Sequence, residues 1–168
     1  MSRPLLPDLF ANRTSFLLIS LGRATRRLVD DRLGRLDIRL RHYTVLKALS
    51  KGSSRSQQEL SDFLQIDVAT MVATVDDLDA KGLVERRRDP ADRRRHSLVI
   101  TRRGTGLLGR ADRVLDAVEV DVAKDLTADQ REGLREALAA AAGGPHLSDL
   151  MIGMKERSGE PPPVEHAS

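Results

Sequence analysis

The chain has 168 residues, with 28 Lys and Arg against 25 Asp and Glu, one Tyr, three Phe and no Trp. It has no cysteine, which excludes disulfides, thiolate metal sites and thiol redox sensing. No apolar run is long enough to span a bilayer and no secretion signal is visible, so we expect a cytoplasmic protein that makes no membrane contact.

The first part of the chain is predicted to be helical. Apolar residues recur every three or four positions over 12–33, the pattern of a long amphipathic helix. A shorter helix is predicted over 41–49, before Gly52. Ser56 and Glu59 then have the spacing of a capping box, which predicts the start of a third helix.

The third and fourth helices predict a helix-turn-helix. The third helix ends near Leu64, and Asp67 is the predicted N-cap of a fourth helix that continues to Lys81 and is closed by Gly82. Two short helices joined by about three residues form this motif. The side chains of the fourth helix that are predicted to face the core are Met71, Val72, Val75 and Leu78.

A β-hairpin is predicted directly after the helix-turn-helix. Residues 83–88 and 95–101 are compatible with strands on either side of a turn at Pro90, the arrangement of a wing. Residues 83–103 hold eight Arg, no Lys and three acids, for a net charge of +5. Guanidinium groups suit phosphate contacts, although a solvated charged surface is the alternative for Arg86–Arg88.

Two helices are predicted at the C-terminal end. Thr101 is the expected cap of a helix that continues to about Asp125, and Thr127 opens a further capping box and helix. We expect residues 143–168 to be a tail that is largely disordered after 157, where three consecutive prolines occur.

Catalytic and metal motifs are missing from the sequence. Phosphate-binding, dinucleotide-binding and nucleophile-elbow patterns do not occur, and the four His lack the spacing of metal ligands. We therefore expect a protein that is not an enzyme and binds no cofactor or metal.

Residues 82–104 contain, in order, the patterns G-L-V-x-R, P-x-D-R-R and L-x-[IL]-T-x-x-G. This string closely resembles the wing of the MarR family of bacterial transcription regulators, and the helical layout from 12 to 142 is also similar to that family. The resemblance implies a mainly α (α+β) fold, with a winged helix-turn-helix DNA-binding lobe at 38–103. Residues 9–36 and 104–142 would form the helical dimerisation region.

The same resemblance implies a function. It is that of a homodimeric transcription regulator, with repression favoured, that binds a pseudo-palindromic operator in double-stranded DNA. A small aromatic or otherwise anionic effector would release it. At the wing, the resemblance implies that Asp92 orients Arg94 into the minor groove, while Arg93 and Arg95 meet phosphate; we expect a phosphate contact from Arg86 as well.

Base reading is expected from the helix-turn-helix. The predicted residues are Gln57, Asp67, Thr70 and Thr74, with thymine methyl groups met by Val68 or Ala69. Thr74 has a core position as its alternative. Residues 56–82, however, hold six acids and one base, which opposes phosphate approach. This segment favours the alternative function, a helical dimeric protein-interaction adaptor with weak or no operator reading.

The resemblance also implies an effector pocket between the dimerisation helices and the DNA-binding lobe. The corresponding residues are Phe16, Arg23, Arg26, His42 and Tyr43. Tyr43 has a core position with a satisfied hydroxyl as its alternative, and His42 that of an ordinary surface histidine.

Overall fold

The structure is a computed structural model that describes residues 8–10, 12–51, 56–88, 96–146 and 149. The predicted wing tip at 89–95 and nearly all of the predicted tail lie outside these residues. Within them, no helix combines the length and the apolar character that crossing a membrane requires.

The predicted order of helices and strands is confirmed, and the described part of the chain is mainly α-helical with one two-stranded antiparallel sheet. The elements are α1 (Thr14–Gly34), α2 (Leu40–Leu49), α3 (Gln57–Leu64), α4 (Val68–Ala80), β1 (Val84–Arg88), β2 (His96–Ile100), α5 (Arg102–Val122) and α6 (Ala128–Gly143). A 3-10 turn at Asp8–Phe10, which was not predicted, precedes α1. Its Phe10 ring stacks on Phe16, with centroids 4.7 Å apart.

Local hydrogen bonds fix the starts of the helices. The Ser56 hydroxyl accepts from the Glu59 backbone N–H at 3.2 Å, while the Glu59 carboxylate accepts from the Ser56 N–H at 2.7 Å. Asp67 accepts from the Thr70 N–H at 2.8 Å, and Thr127 caps α6 in the same way. These predicted caps are confirmed, because each depends only on residues three positions apart.

The chain divides into two compact units, Met1–Val122 and Ala123–Ser168. The core of the first unit draws on α1 to α5 and the hairpin, and its main members are Val29, Leu33, Val45, Leu46, Leu60, Met71, Val75, Leu78, Leu98, Leu108 and Ala111. In the second unit α6 has no buried residue. The predicted division into a dimerisation region and a DNA-binding lobe concerns assembly and stays a prediction.

The N-terminal half of α1 is exposed in the single chain. The buried residues of this helix, Val29 and Leu33, both lie in its C-terminal half. The exposed apolar side chains of its first two turns are Phe16, Leu17, Leu18, Ile19 and Leu21. Five large apolar side chains in one exposed segment are a surface that a monomeric fold does not account for.

Gly104 closes the hairpin against the start of α5. A Cβ atom at this position would lie 2.1 Å from the Leu83 carbonyl oxygen and 2.8 Å from a side-chain carbon of Ile100. Its backbone N–H donates to the Thr101 hydroxyl at 3.0 Å, which in turn donates to the Gly82 carbonyl at 2.9 Å. The glycine that ends the T-x-x-G pattern is therefore a packing requirement.

Candidate nucleic-acid interface

The helix-turn-helix is formed by α3, a tight turn and α4. Gln65 has left-handed backbone angles, with φ 54° and ψ 38°, and the Ser61 hydroxyl donates to the Ile66 carbonyl at 2.5 Å. This short turn reverses the chain, and the Asp67 cap then starts α4. Because α4 also packs on α2 and β1, it is held between the first helices and the hairpin.

The two faces of α4 differ in chemistry. Met71, Val75 and Leu78 are buried, as predicted. Val72, which was also predicted to be inward, is 39% exposed. The exposed residues of the first two turns are Val68, Ala69, Val72 and Ala73. The outward surface at the start of α4 is thus uncharged and apolar.

Thr74 corrects the prediction of a base contact. Its side chain is 1% exposed, and its hydroxyl donates to the Thr70 carbonyl at 2.7 Å. The alternative of a core position is the right one, because a threonine can satisfy its hydroxyl on the preceding helical turn and then pack like valine. Thr74 cannot reach a base edge from this position.

The other predicted base-reading residues lie around the start of the two helices. Val68 is 54% exposed, Asp67 is exposed, and Thr70 is partly exposed. Hydrogen bonds from the backbone N–H and then the side chain of Thr70 lower the pKa of Asp67, so its carboxylate is held ionised as a cap. Gln57 is half-buried, and among the described residues its Nε2 atom has no hydrogen-bond partner.

Two of the acids on α4 are paired within the chain. Asp76 forms an ion pair with Arg86 of β1. Asp77 Oδ2 lies 3.0 Å from His42 Nε2, and its other carboxylate oxygen lies 3.7 Å from Lys81 Nζ. The repulsion that the sequence predicted for this helix is therefore reduced by neighbouring cations at two of its acids.

Two arginines of β1 form ion pairs within the described part of the chain. Arg86 lies opposite Leu98 in the strand register and shares the face of β1 that carries Val84, so it reaches Asp76. Arg87 pairs with Glu85. For Arg86 to contact a DNA phosphate, its ion pair with Asp76 would have to break. The predicted wing residues Asp92, Arg93, Arg94 and Arg95 lie outside the described residues.

His42 is buried, with 2% of its surface exposed, so the alternative of an ordinary surface histidine is wrong. Its Nδ1 atom accepts from the Arg39 backbone N–H at 3.0 Å, which leaves Nε2 to donate to Asp77. The imidazole thus joins the first turn of α2 to the last turns of α4. No sequence pattern predicts the contact between His42 and Asp77, because the two residues are far apart in the chain.

An open cleft of about 590 Å³ surrounds this contact. It is formed by the end of α1, the α1–α2 loop, the start of α2 and the end of α4. Its lining residues are Asp30, Gly34, Asp37, Ile38, Arg39, Arg41, His42, Asp77 and Lys81. Lys81 Nζ bridges the cleft to Asp37 Oδ2 at 2.6 Å. Within the described residues, Arg39 and Arg41 form no ion pair, although Arg41 Nε lies 3.4 Å from His42 Nε2, so both guanidinium charges are open to an anion.

The structure does not bring the five predicted effector residues together in one chain. Only His42 lines the cleft. Phe16 and Arg23 are exposed on the N-terminal half of α1, and Arg26 lies 3.9 Å from Asp30. These residues are separated because the predicted set spans nearly three turns of α1.

Tyr43 faces α5 instead of the cleft. Its hydroxyl donates to Asp112 Oδ1 at 2.8 Å, and Lys47 Nζ donates to the same oxygen at 2.8 Å. Burial first, and then Asp112, raises the pKa of Tyr43 above its ordinary value. The hydroxyl is thus satisfied, as in the alternative of a core tyrosine, but the ring is only partly buried at the edge of the core.

Comparison with known proteins gives a consistent result. The model of the MarR family matches residues 36–95. Wild-type MarR from E. coli in its apo form is 25% identical over 76% of this chain and 96% of that chain, with a TM-score of 0.69. A cysteine-to-serine mutant of E. coli MarR complexed with operator DNA is 25% identical over 80% and 99%, with a TM-score of 0.68. A MarR-family transcriptional regulator from Rhodococcus sp. RHA1 is 24% identical over 82% and 99%, with a TM-score of 0.70.

We expect stability to fall when His42 is forced to take up a proton. Burial, the main cause, lowers the pKa of His42, and Arg41, Lys81 and Arg39 lower it further against the opposing effect of Asp77. The unfolded chain then binds a proton below about pH 6.5 that the folded chain does not, so the free energy of unfolding decreases as pH falls from there toward the folded pKa.

Denaturant unfolding between about pH 5 and 8 measures this effect. His42→Gln, whose amide can donate to Asp77 but does not titrate, should flatten the pH dependence. The control His146→Gln, at an exposed position, should retain it. Equal pH dependence in wild type and His42→Gln would mean that His42 titrates alike in both states.

Proposed function

Because this chain belongs to the MarR family of winged-helix transcription regulators, we propose that it binds a pseudo-palindromic DNA operator as a homodimer and represses transcription until a small anionic effector releases it. The observation that carries the proposal is α4, an exposed second helix of a helix-turn-helix that lies beside an arginine-rich hairpin. The chain is a regulator of transcription and not an enzyme. We propose that it acts in the cytoplasm.

In the proposed complex, α4 enters the major groove and the wing follows the backbone. The contacts to bases come from Val68 and Thr70, with Asp67 and Gln57 at the helix starts. The contacts to phosphate and minor groove come from Arg86, Asp92, Arg93, Arg94 and Arg95. The solved E. coli MarR mutant with operator DNA supports a complex of this kind.

The alternative of a protein-interaction adaptor is weakened at two acids. It rested on the acids of α4, which the sequence presented as unopposed. Asp76 and Asp77 have cationic partners or a histidine donor within the chain. Pairing at two of the six acids lowers the resistance that this segment offers to a phosphate backbone, and at Asp76 it does so only while Arg86 makes no phosphate contact.

The proposed homodimer follows from the exposed apolar surface of α1. Phe16 and Ile19 are among five large side chains exposed in its first two turns, and Leu134 and Leu138 are exposed on α6. A second copy would cover such residues, and two-fold symmetry would present two copies of α4 to two half-sites. A palindromic operator is the matching ligand.

Selection of tight binders from a random-sequence duplex library tests the proposal. We expect enrichment of one inverted repeat, with half-sites about one helical turn apart, because two copies of α4 must reach the same side of the duplex. Sedimentation should give twice the 18.6 kDa chain mass for the free protein and two chains per selected duplex.

A protein that enriches no sequence over the starting pool would contradict operator binding and favour the adaptor. A single chain on an asymmetric site would contradict the homodimer while leaving DNA binding intact. Ile19→Glu provides a check. If α1 forms the dimer interface, this substitution should lower both the sedimentation mass of the free protein and its affinity for the selected duplex.

We further propose that the cleft around His42 is the effector site. Its volume of about 590 Å³ is of the size that holds small ligands. Among the described residues Arg39 and Arg41 have no carboxylate partner, so both can pair with the carboxylate of a ligand. The mostly polar lining favours the charge of the ligand over an aromatic ring. Asp77 belongs to α4 and Lys81 directly follows its last residue. A ligand that contacts them therefore changes its affinity when α4 moves, and this change in affinity is what effector-induced release of DNA requires.

Release can be measured by fluorescence anisotropy of the selected duplex in a panel of alkyl and aryl carboxylates. An effector should weaken DNA binding by about 5- to 150-fold, the usual range of allosteric coupling. Arg41→Gln should abolish that response, whereas Arg113→Gln, an equal charge change at an exposed position of α5, should not. Release that is unaffected by Arg41→Gln would show that the effector binds elsewhere.

A further inference from the structure

The exposed side chains in the first two turns of α4 carry only methyl groups, and the hydroxyl of the partly exposed Thr70 is hydrogen-bonded to the Asp67 cap. Val68, Ala69, Val72 and Ala73 are all exposed, and their side chains carry neither a hydrogen-bond donor nor an acceptor. Their spacing of one, four and five positions makes them one continuous stripe of the helix. The surface that α4 offers to a ligand is therefore a patch of aliphatic carbon.

Charged side chains are missing from this stretch of α4, residues 68–75. Asp67 and Asp76 lie at the two ends of this stretch, and both carboxylates have partners within the chain. Asp67 accepts a hydrogen bond from the Thr70 N–H, and Asp76 forms an ion pair with Arg86. A bidentate arginine–guanine contact or an amide–adenine contact cannot be made from this surface. Direct reading by α4 must use another property of the bases.

The major groove offers one apolar group to such a surface, the 5-methyl group of thymine. A polar base edge pressed against valine loses its water and gains no hydrogen bond, which is unfavourable. A thymine methyl against the same valine loses only unfavourable contact with water. The chemistry of the patch thus selects thymine over the other three bases.

DNA is a better occupant of this patch than a protein surface. The segment that follows α4, residues 83–103, has a net charge of +5 and complements a phosphate backbone. We infer that the operator half-site carries thymines opposite Val68 and Val72 and that the protein discriminates sequences through their 5-methyl groups. The inference rests on the proposed function, because it names what the DNA-binding surface reads.

The test separates the methyl group of each base from its hydrogen-bonding edge. In the duplex obtained by selection, each half-site thymine is replaced by uracil, by 5-methylcytosine paired with guanine, or by cytosine paired with guanine. Uracil removes only the methyl group, 5-methylcytosine keeps it while changing the edge, and cytosine lacks both features of thymine.

We expect uracil to weaken binding by about fourfold at each contacted position, the factor that corresponds to burial of one methyl-sized group. Duplexes with 5-methylcytosine should bind more tightly than those with cytosine. If hydrogen bonds were read instead, uracil would equal thymine and 5-methylcytosine would equal cytosine. Anisotropy titrations at one fixed salt concentration give all four affinities.

Protein variants identify the side chains that meet the methyl groups. Val68→Thr and Val72→Thr keep the size of the side chain but replace one methyl group by a hydroxyl, so each should move the thymine-to-uracil ratio toward one at its own position. Val120→Thr makes the same change at an exposed position of α5 and should leave the ratio unaltered. Circular dichroism of each variant checks that the fold is retained.

Equal binding of thymine and uracil by a protein that still selects one duplex would overturn this inference and leave the proposed function standing. A selected half-site without thymine would also overturn the inference. The same holds if the ratio of thymine-duplex to uracil-duplex affinity is unchanged in both Val68→Thr and Val72→Thr. A protein that prefers no duplex at all would overturn the proposed function together with the inference.

Discussion

The burial of one face of α4 is the constraint on which the rest of the structure depends. Met71, Thr74, Val75 and Leu78 are all buried, so the helix has one fixed rotation about its axis. With about 100° between successive residues, this rotation turns Val68 and Val72 outward. The outward surface is therefore a consequence of core packing, and a change in core register would change what the helix offers to DNA.

In this chain, attraction to the DNA backbone and discrimination between base sequences are assigned to different segments. Net positive charge is concentrated in residues 83–103, whereas the outward start of α4 is uncharged. Asp76 and Asp77 are paired with groups on β1, on α2 and at the residue after α4, which ties the orientation of α4 to its neighbours. His42 and Lys81 make the same connection at the cleft, so a ligand there would act on α4 through contacts already in place.

Sequence reasoning succeeded where the determining contacts are local. The caps at Ser56, Asp67 and Thr127 join residues three positions apart. It failed at Val72 and Thr74. Polarity predicts that the valine is buried and the threonine exposed, whereas Val72 is exposed and Thr74 is buried. The hydroxyl of Thr74 is satisfied by the Thr70 carbonyl, so the core can take threonine and leave valine outside.

The cleft around His42 could not be predicted from the sequence, for a different reason. Its charged groups come from α1, the α1–α2 loop, α2 and α4, and the pair of His42 with Asp77 joins residues that no sequence pattern connects. Tyr43, the neighbour of His42, faces Asp112 on α5, because adjacent residues of a helix point in different directions.

The separation of attraction from discrimination is tested most directly by the salt dependence of binding to the selected duplex and to a scrambled duplex, measured from about 0.05 to 0.2 M salt. If phosphate contacts supply the attraction and uncharged contacts of α4 supply the discrimination, both affinities fall steeply with parallel slopes, and their ratio stays constant. A ratio that collapses toward one as salt rises would show that ionic contacts carry the specificity, and would contradict the account.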